Sequence, residues 1–288
     1  MVLEGEAYSK FEAAKGKVGI DLGPQTIAYV SKDGAGLKVL AEKINKINKE
    51  KKSLERKLSK KLRLLNPNAF EKNFKKGNKN KLGKAIKGAK CTNISKSYKK
   101  LRRELNEIER KQTELRKESH GDLINELLRL GREFYMEKIS YKAWQKMFGR
   151  SIGIRAPGLF VSMLRRKAEK AGGKVTEFNT QTTALSQVCI CKRKKKKPLS
   201  QRWHICECGV ISQRDLFSAY LAMFVVKNLL DYIAAESCYT GFEQRLWLAT
   251  KDIQNLSSSS VKILGLSKVE TESLANLMLK KNLTVSSI

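Results

Sequence analysis

The spacing of apolar residues changes character along this 288-residue chain, and that change limits the fold more than any other feature. Residues 17–41 hold three short apolar runs separated by turns. Lys17–Gly23 ends at a glycine, Thr26–Ser31 follows, and Asp33-Gly34 makes a hairpin turn before Leu37–Ala41. The pattern predicts three antiparallel strands side by side. From residue 42 the spacing turns helical. Ile44, Ile47, Leu54, Leu58, Leu62 and Leu65 recur among lysines and arginines until Asn66-Pro67-Asn68 stops the run. Residues 70–90 read as a flexible basic loop, and a second long helix follows from about Ser95 to Leu130, so the two helices form a hairpin.

Beyond the hairpin, Phe134–Ile139 reads as a strand, and Pro157 opens an amphipathic helix that Gly172-Gly173 ends. Val175–Phe178 reads as a further strand, a cysteine-rich segment follows, and a helix is predicted from about Gln213 to Ala235. This order suits an α/β fold with a ribonuclease-H-like mixed sheet, a basic helical-hairpin insertion and a small zinc-binding insertion. The predicted organisation is a linker or remnant over 1–16 and a catalytic domain over 17–251, carrying insertions at 42–131 and 186–211. A tail at 252–288 is Ser-rich and disordered, apart from one weak helix near 268–281.

The chain has 59 Lys+Arg against 28 Asp+Glu, a formal net charge of +31. Such a surplus repels itself unless a polyanion shares the space, and nucleic acid is the polyanion at hand. Residues 42–118 alone hold 27 basic and 9 acidic side chains, which predicts a phosphate-facing surface. No apolar run reaches the length of a membrane span, and no signal segment opens the chain. The expected setting is a reducing cytoplasm, without a membrane partner.

Three acids stand where phosphodiester chemistry needs them. Asp21 lies inside an otherwise apolar strand between Ile20 and Leu22, Glu137 lies in the fourth strand, and Asp215 lies at the start of the helix after the cysteines. If the first and fourth strands are neighbours, the three side chains converge at one edge of the sheet. Carboxylates are hard ligands suited to Mg²⁺ or Mn²⁺, and two such ions serve hydrolysis by in-line displacement. Each acid alone also has an ordinary use, as a turn residue, a solvent-facing strand residue or a helix cap.

Cys189-x-Cys191 and Cys206-x-Cys208 form two close pairs, and two sulfur pairs on facing knuckles satisfy tetrahedral Zn²⁺. The usual spacing within a pair is two residues; here it is one. Gly209 offers the backbone freedom a knuckle turn wants, and His204 is a reserve ligand. The basic run Lys192, Arg193, Lys194, Lys195, Lys196 and Lys197 at the tip is expected to touch phosphate.

With these residues in view, the chain resembles the C-terminal nuclease half of the TnpB family, transposon-encoded RNA-guided DNA endonucleases (OrfB, long labelled transposases) related to type V CRISPR effectors. The matching stretches are Gly19-Ile-Asp-Leu-Gly23, Glu137-Lys-Ile-Ser140 with Phe148-Gly-Arg-Ser151, Thr183-Ala-Leu-Ser-Gln187, Pro198-Leu-Ser-Gln-Arg-Trp-His204, both cysteine pairs, and Gln213-Arg-Asp-Leu-Phe-Ser-Ala-Tyr220. They extend over about residues 17–235. The resemblance implies a RuvC-type fold, Mg²⁺-dependent DNA cleavage and a guide RNA transcribed from the transposon end. It also implies Asp21, Glu137 and Asp215 as catalytic acids, the four cysteines as zinc ligands, and Arg214 as a contact to the scissile strand. Family members carry a sizeable region before the first catalytic strand, where this sequence has about sixteen residues, which predicts a shortened product. The alternative reading is a non-catalytic, zinc-containing nucleic-acid-binding protein of a transposable element.

Overall fold

The computed structural model describes residues 12–72, 82–198, 200–252 and 264. The chain divides into two compact units, residues 1–40 with 120–288, and residues 41–119.

The larger unit is built on a five-stranded mixed sheet. Strands β1 (Lys17–Leu22), β2 (Thr26–Ser31) and β3 (Ala35–Val39) form the antiparallel meander. Strands β4 (Glu133–Glu137) and β5 (Lys174–Phe178) lie parallel to β1, so the order across the sheet is β3-β2-β1-β4-β5. Strand alternation sorts the side chains into two cores. Val18, Ile20, Leu22, Ile27, Tyr29, Phe134 and Met136 face one side. They meet Ile124 and Leu127 of α2 (Lys96–Leu130) and Phe160 and Leu164 of α4 (Pro157–Lys170). Ala28, Val30, Leu37 and Val39 face the other side, against α5 (Arg214–Ala222) and α6 (Tyr232–Asp252). Tyr220 joins those last two helices, its hydroxyl donating to the Ala235 carbonyl among the rings of Phe224, Tyr239 and Phe242.

One close approach on this second face matters for everything that follows. Gly19 faces α5, and a Cβ there would run into the backbone carbonyl oxygen of Ala219. Neither backbone has a flexible end that could give way. Gly19→Ala is expected to cost about 1–3 kcal/mol of overpacking, or more. A thermal melt should show this as a lowered midpoint; an unchanged midpoint means the helix slides freely on β1.

The smaller unit holds α1 (Ile44–Leu65) and the first part of α2. Leu54 and Leu58 of α1 pack on Leu105 and Ile108 of α2, and Lys51 pairs with Glu109 at 3.0 Å. The second part of α2 belongs to the sheet unit, because Leu123, Ile124, Leu127 and Leu128 are buried against β1 and β2. The division therefore falls at residue 120 and not at 131.

Three expectations change. Residues 70–90 are not all loop: Phe70–Lys72 and Leu82–Ala85 pair as short antiparallel strands. Residues 141–155, left without an element in the sequence, form α3 (Tyr141–Arg155), kinked at Phe148 and capped by Ser140. The helix predicted from Gln213 to Ala235 is broken after Ala222 by a hairpin of Val225–Val226 with Leu229–Leu230. Its two loop residues, Lys227 and Asn228, both have positive φ, which makes the turn type I′. The weak helix expected near 268–281 lies outside the described residues. Among the described residues no helix is long and apolar enough to cross a membrane.

Candidate active site and cysteine cluster

Strand parity and the Gly19–Ala219 contact together place the acids. Asp21 is two residues from Gly19 on β1 and shares its face. Asp215 is four residues from Ala219 on α5 and shares its stripe. The helix and strand run in opposite senses, so Asp215 descends toward Asp21. The register of β1 on β4 pairs Ile20 with Met136 and, continued by one residue, sets Asp21 level with Glu137.

The electrostatics bear the marks of that convergence. Burial pushes the Asp21 carboxyl well above the usual carboxylate range, and the charges of Asp215 and then Glu137 push it further. Arg214 and Arg202 pull it partly back. Burial lifts Glu137 to about 7 against a backbone hydrogen bond from Leu185. That amide is presented by the short turn Thr180–Thr183 and by Ala184, whose φ of 42° is left-handed. Asp215 sits in the first turn of α5, whose N-cap is Gln213: its side chain accepts from the Leu216 amide at 2.7 Å. Arg214 Nε donates to Asp215 Oδ1 at 3.0 Å, and Arg202 Nη1 lies 3.6 Å from Oδ2.

Arg214 is 8% exposed, and its Nη1 also donates to the carbonyl oxygens of Gln201 at 2.9 Å and Pro198 at 3.4 Å. In this chain the guanidinium fastens Asp215 to the segment before β6 (Trp203–Ile205). The sequence offers no signal for Arg202 as a second partner of Asp215, nor for the Leu185 amide at Glu137.

The two cysteine pairs are built alike. Lys192 N–H donates to Cys189 O at 3.0 Å, and Cys189 N–H to Arg193 O at 2.9 Å. In the second pair Gly209 N–H donates to Cys206 O at 3.0 Å, and Cys206 N–H to Val210 O at 3.0 Å. Both knuckles end in a left-handed residue, Lys192 at φ 66° and Gly209 at φ 90°. This shared turn accommodates the one-residue spacing. The second knuckle joins β6 to β7 (Ile211–Gln213).

Cys189 and Cys208 sulfurs lie 3.5 Å apart, Cys191 and Cys206 sulfurs 3.6 Å, and all four fall within 4.8 Å of one another. A tetrahedron of sulfurs ~2.3 Å from a central zinc has edges of about 3.8 Å, so the set is able to hold one metal ion such as zinc. Burial pushes the Cys189 thiol far up; at Cys206 burial also pushes up, but the Cys208 amide and hydrogen bonds from the neighbouring sulfurs together outweigh it and hold the thiol down at about 7. Among the described residues this is the one group of three or more His, Cys, Asp or Glu ligand atoms gathered so tightly. The three acids interact through space without meeting that criterion.

His204, the reserve ligand, is not in the cluster. It is buried, stacked on Phe217 at 4.2 Å, and its Nδ1 accepts from Lys197 Nζ at 2.5 Å. Burial, then the Lys197 charge, push it down to about 4. Lys197 also donates to the Ser186 carbonyl at 3.2 Å and is half-buried. Arg193 pairs with Glu207 across the two knuckles. Lys192, Lys194, Lys195 and Lys196 stand exposed.

Residues 158–221, from α4 through the cysteine cluster to α5, match the family model described as Cas12f1-like, TNB domain. No curated protein matches the chain.

Proposed function

We propose that the chain, whose residues 158–221 match a Cas12f1-like TNB domain and support a TnpB/Cas12-type relation, is a metal-dependent DNA endonuclease of RuvC type, guided by RNA. The observation that carries this reading is the convergence on half-buried Asp21 of Glu137, level with it across the β1–β4 register, and Asp215, on the helix stripe that meets Gly19, both of whose charges Asp21 feels. Anions gathered at the ends of neighbouring strands repel one another unless a cation joins them, and oxygen donors of this kind suit Mg²⁺ or Mn²⁺. The five-stranded mixed sheet, order β3-β2-β1-β4-β5 with β2 alone antiparallel to its neighbours, supports the ribonuclease-H-like reading.

Asp21, Glu137 and Asp215 would hold the ions, which when bound activate a water and stabilise the leaving oxygen of an in-line displacement. The chain's own residues arrange that donor set. Arg214 and Arg202 fix the orientation of Asp215, the Leu185 amide aims Glu137, and the Gly19–Ala219 approach sets the distance between strand and helix. The four cysteines would hold a structural zinc that fastens β6 and β7 and so supports the start of α5. Lys192, Lys194, Lys195 and Lys196, with the basic residues 42–118, would engage phosphates of DNA and guide RNA.

Purified protein with Mg²⁺, guide RNA and single-stranded DNA is expected to cut, and Asp21→Ala is not. Equal cutting by both removes Asp21 from the site. Salt-sensitive binding with no cleavage under any divalent metal would leave the non-catalytic binding protein as the reading that stands.

A further inference from the structure

The three parallel strands β1, β4 and β5 end at Leu22, Glu137 and Phe178, and all three residues line one cavity of about 840 Å³. The carboxyl ends of parallel strands are where α/β sheets receive ligands. Among the other residues of the wall are Trp144 of α3, Gln181 of the short turn after β5, and Asn228 of the type I′ hairpin, none of which the catalytic reading uses.

Trp144 and Asn228 are each fixed by a neighbour. Trp144 is half-buried, with Tyr141 edge-on to its ring at 6.2 Å. Asn228 is clamped twice. Its Oδ1 accepts from the Asn179 amide at 2.8 Å, and its carbonyl accepts from Thr182 Oγ1 at 3.0 Å. Because the carbonyl end of the side chain is committed, the amide nitrogen is the end left to donate. The loop that carries Asn228 places two residues other than glycine at positive φ, Lys227 at 48° and Asn228 at 64°, a costly turn retained where it faces a cavity. An aromatic ring, a fixed donor and the Gln181 amide, beside a carboxylate cluster, are the parts that seat a nucleobase.

We propose that this cavity receives an unpaired base of the strand being cut, next to the scissile phosphate, with its face on Trp144 and its edge on Asn228. The inference rests on the nuclease reading and deepens it. Trp144 and Asn228 are then positioning residues: they hold the strand so that its phosphate meets the acids. A base seated this way has left the duplex stack, so single-stranded DNA is the preferred form.

The test uses the full chain without added Mg²⁺ and a single-stranded oligonucleotide in which one abasic site is walked along the sequence. Trp144→Ala is expected to weaken binding about 5- to 150-fold, the range for loss of one stacked base, and Trp144→Phe to retain most of the affinity. The wild type should lose affinity at one abasic position beside the cut, and Trp144→Ala should lose nothing more there. An abasic penalty that persists undiminished in Trp144→Ala, or unchanged binding by that variant, overturns the proposal. Should Trp144→Ala not fold, Asn228→Asp carries the same test, since it keeps the acceptor for Asn179 and removes the donor. Cleavage in Mg²⁺ separates the two readings. Full cutting by Asp21→Asn strikes the nuclease assignment and leaves the binding result standing, while failure of the abasic coupling strikes the cavity alone.

Discussion

Asp21→Asn is expected to abolish cleavage while raising the melting temperature of the protein measured without Mg²⁺. The two effects have one cause. In the absence of a cation, Asp21 is a half-buried carboxyl that feels the charges of Asp215 and Glu137, and both desolvation and repulsion favour its protonated form. A folded-state affinity for the proton above the unfolded value means the stabilising state is the protonated one. That contribution is present below the ordinary carboxylate range and is lost as pH rises through the raised value. Glu137 shows the same sign with a defined window: its pKa moves from 4.5 to about 7, so stability drains away over that interval, by about 3 kcal/mol at ~1.4 kcal/mol per pH unit. Asparagine at 21 removes one charge from the cluster at nearly constant volume. Melting curves at pH 5 and pH 7.5 should converge for the variant relative to the wild type, and Mg²⁺ should shift the wild type more than the variant. Cleavage should fall by about 10³-fold or more, the scale of losing several kcal/mol of metal-borne transition-state stabilisation. A variant that melts lower than the wild type in both conditions would show that Asp21 serves the fold.

Breaking the cysteine cluster is expected to have an effect as large, by a different route. Structural zinc contributes about 10–16 kcal/mol to the folding of small zinc-finger peptides, and here the four sulfurs would tie together the two knuckles of residues 189–209. The consequences travel along the backbone. The second knuckle joins β6 to β7, β7 ends at Gln213, and Gln213 caps the helix that carries Asp215. The Arg202 carbonyl, just ahead of β6, accepts from the Arg214 amide at 2.8 Å. Cys206→Ser should therefore lower zinc content measured by mass spectrometry from one per chain and lower the melting temperature sharply. It should reduce cleavage even though the three acids are intact. Proteolysis should open first within 186–211. Full zinc occupancy and unchanged melting in Cys206→Ser would remove that sulfur from the ligand set.

Much of this arrangement is legible in residue order, and the exceptions have physical causes. The meander, both long helices and the helix from Pro157 follow from strand-length and helix-length apolar spacing bounded by Asn-Pro and Gly-Gly. Helix α3 stays hidden because Gly149 and Gly153 dilute its pattern and a kink at Phe148 interrupts its periodicity. The break after Ala222 stays hidden because Leu216–Val226 reads as one apolar run, and the turn that follows uses Lys227-Asn228 in place of Asn-Gly. The cysteine pairs announce themselves by type and spacing. The internal uses of Arg193, Lys197 and His204 do not, since a basic run looks the same whether its members meet solvent, Glu207 or a buried imidazole. For the acids, the sequence marks the three residues but not the device that sets their separation, which is a contact between two backbones.

That contact has a bearing on chimeras. With no side chain at position 19 and only a methyl at 219, the gap between β1 and α5 is defined jointly by two segments about two hundred positions apart. Grafting either segment alone from a relative would alter the gauge between Asp21 and Asp215, and the two must be swapped as a matched set.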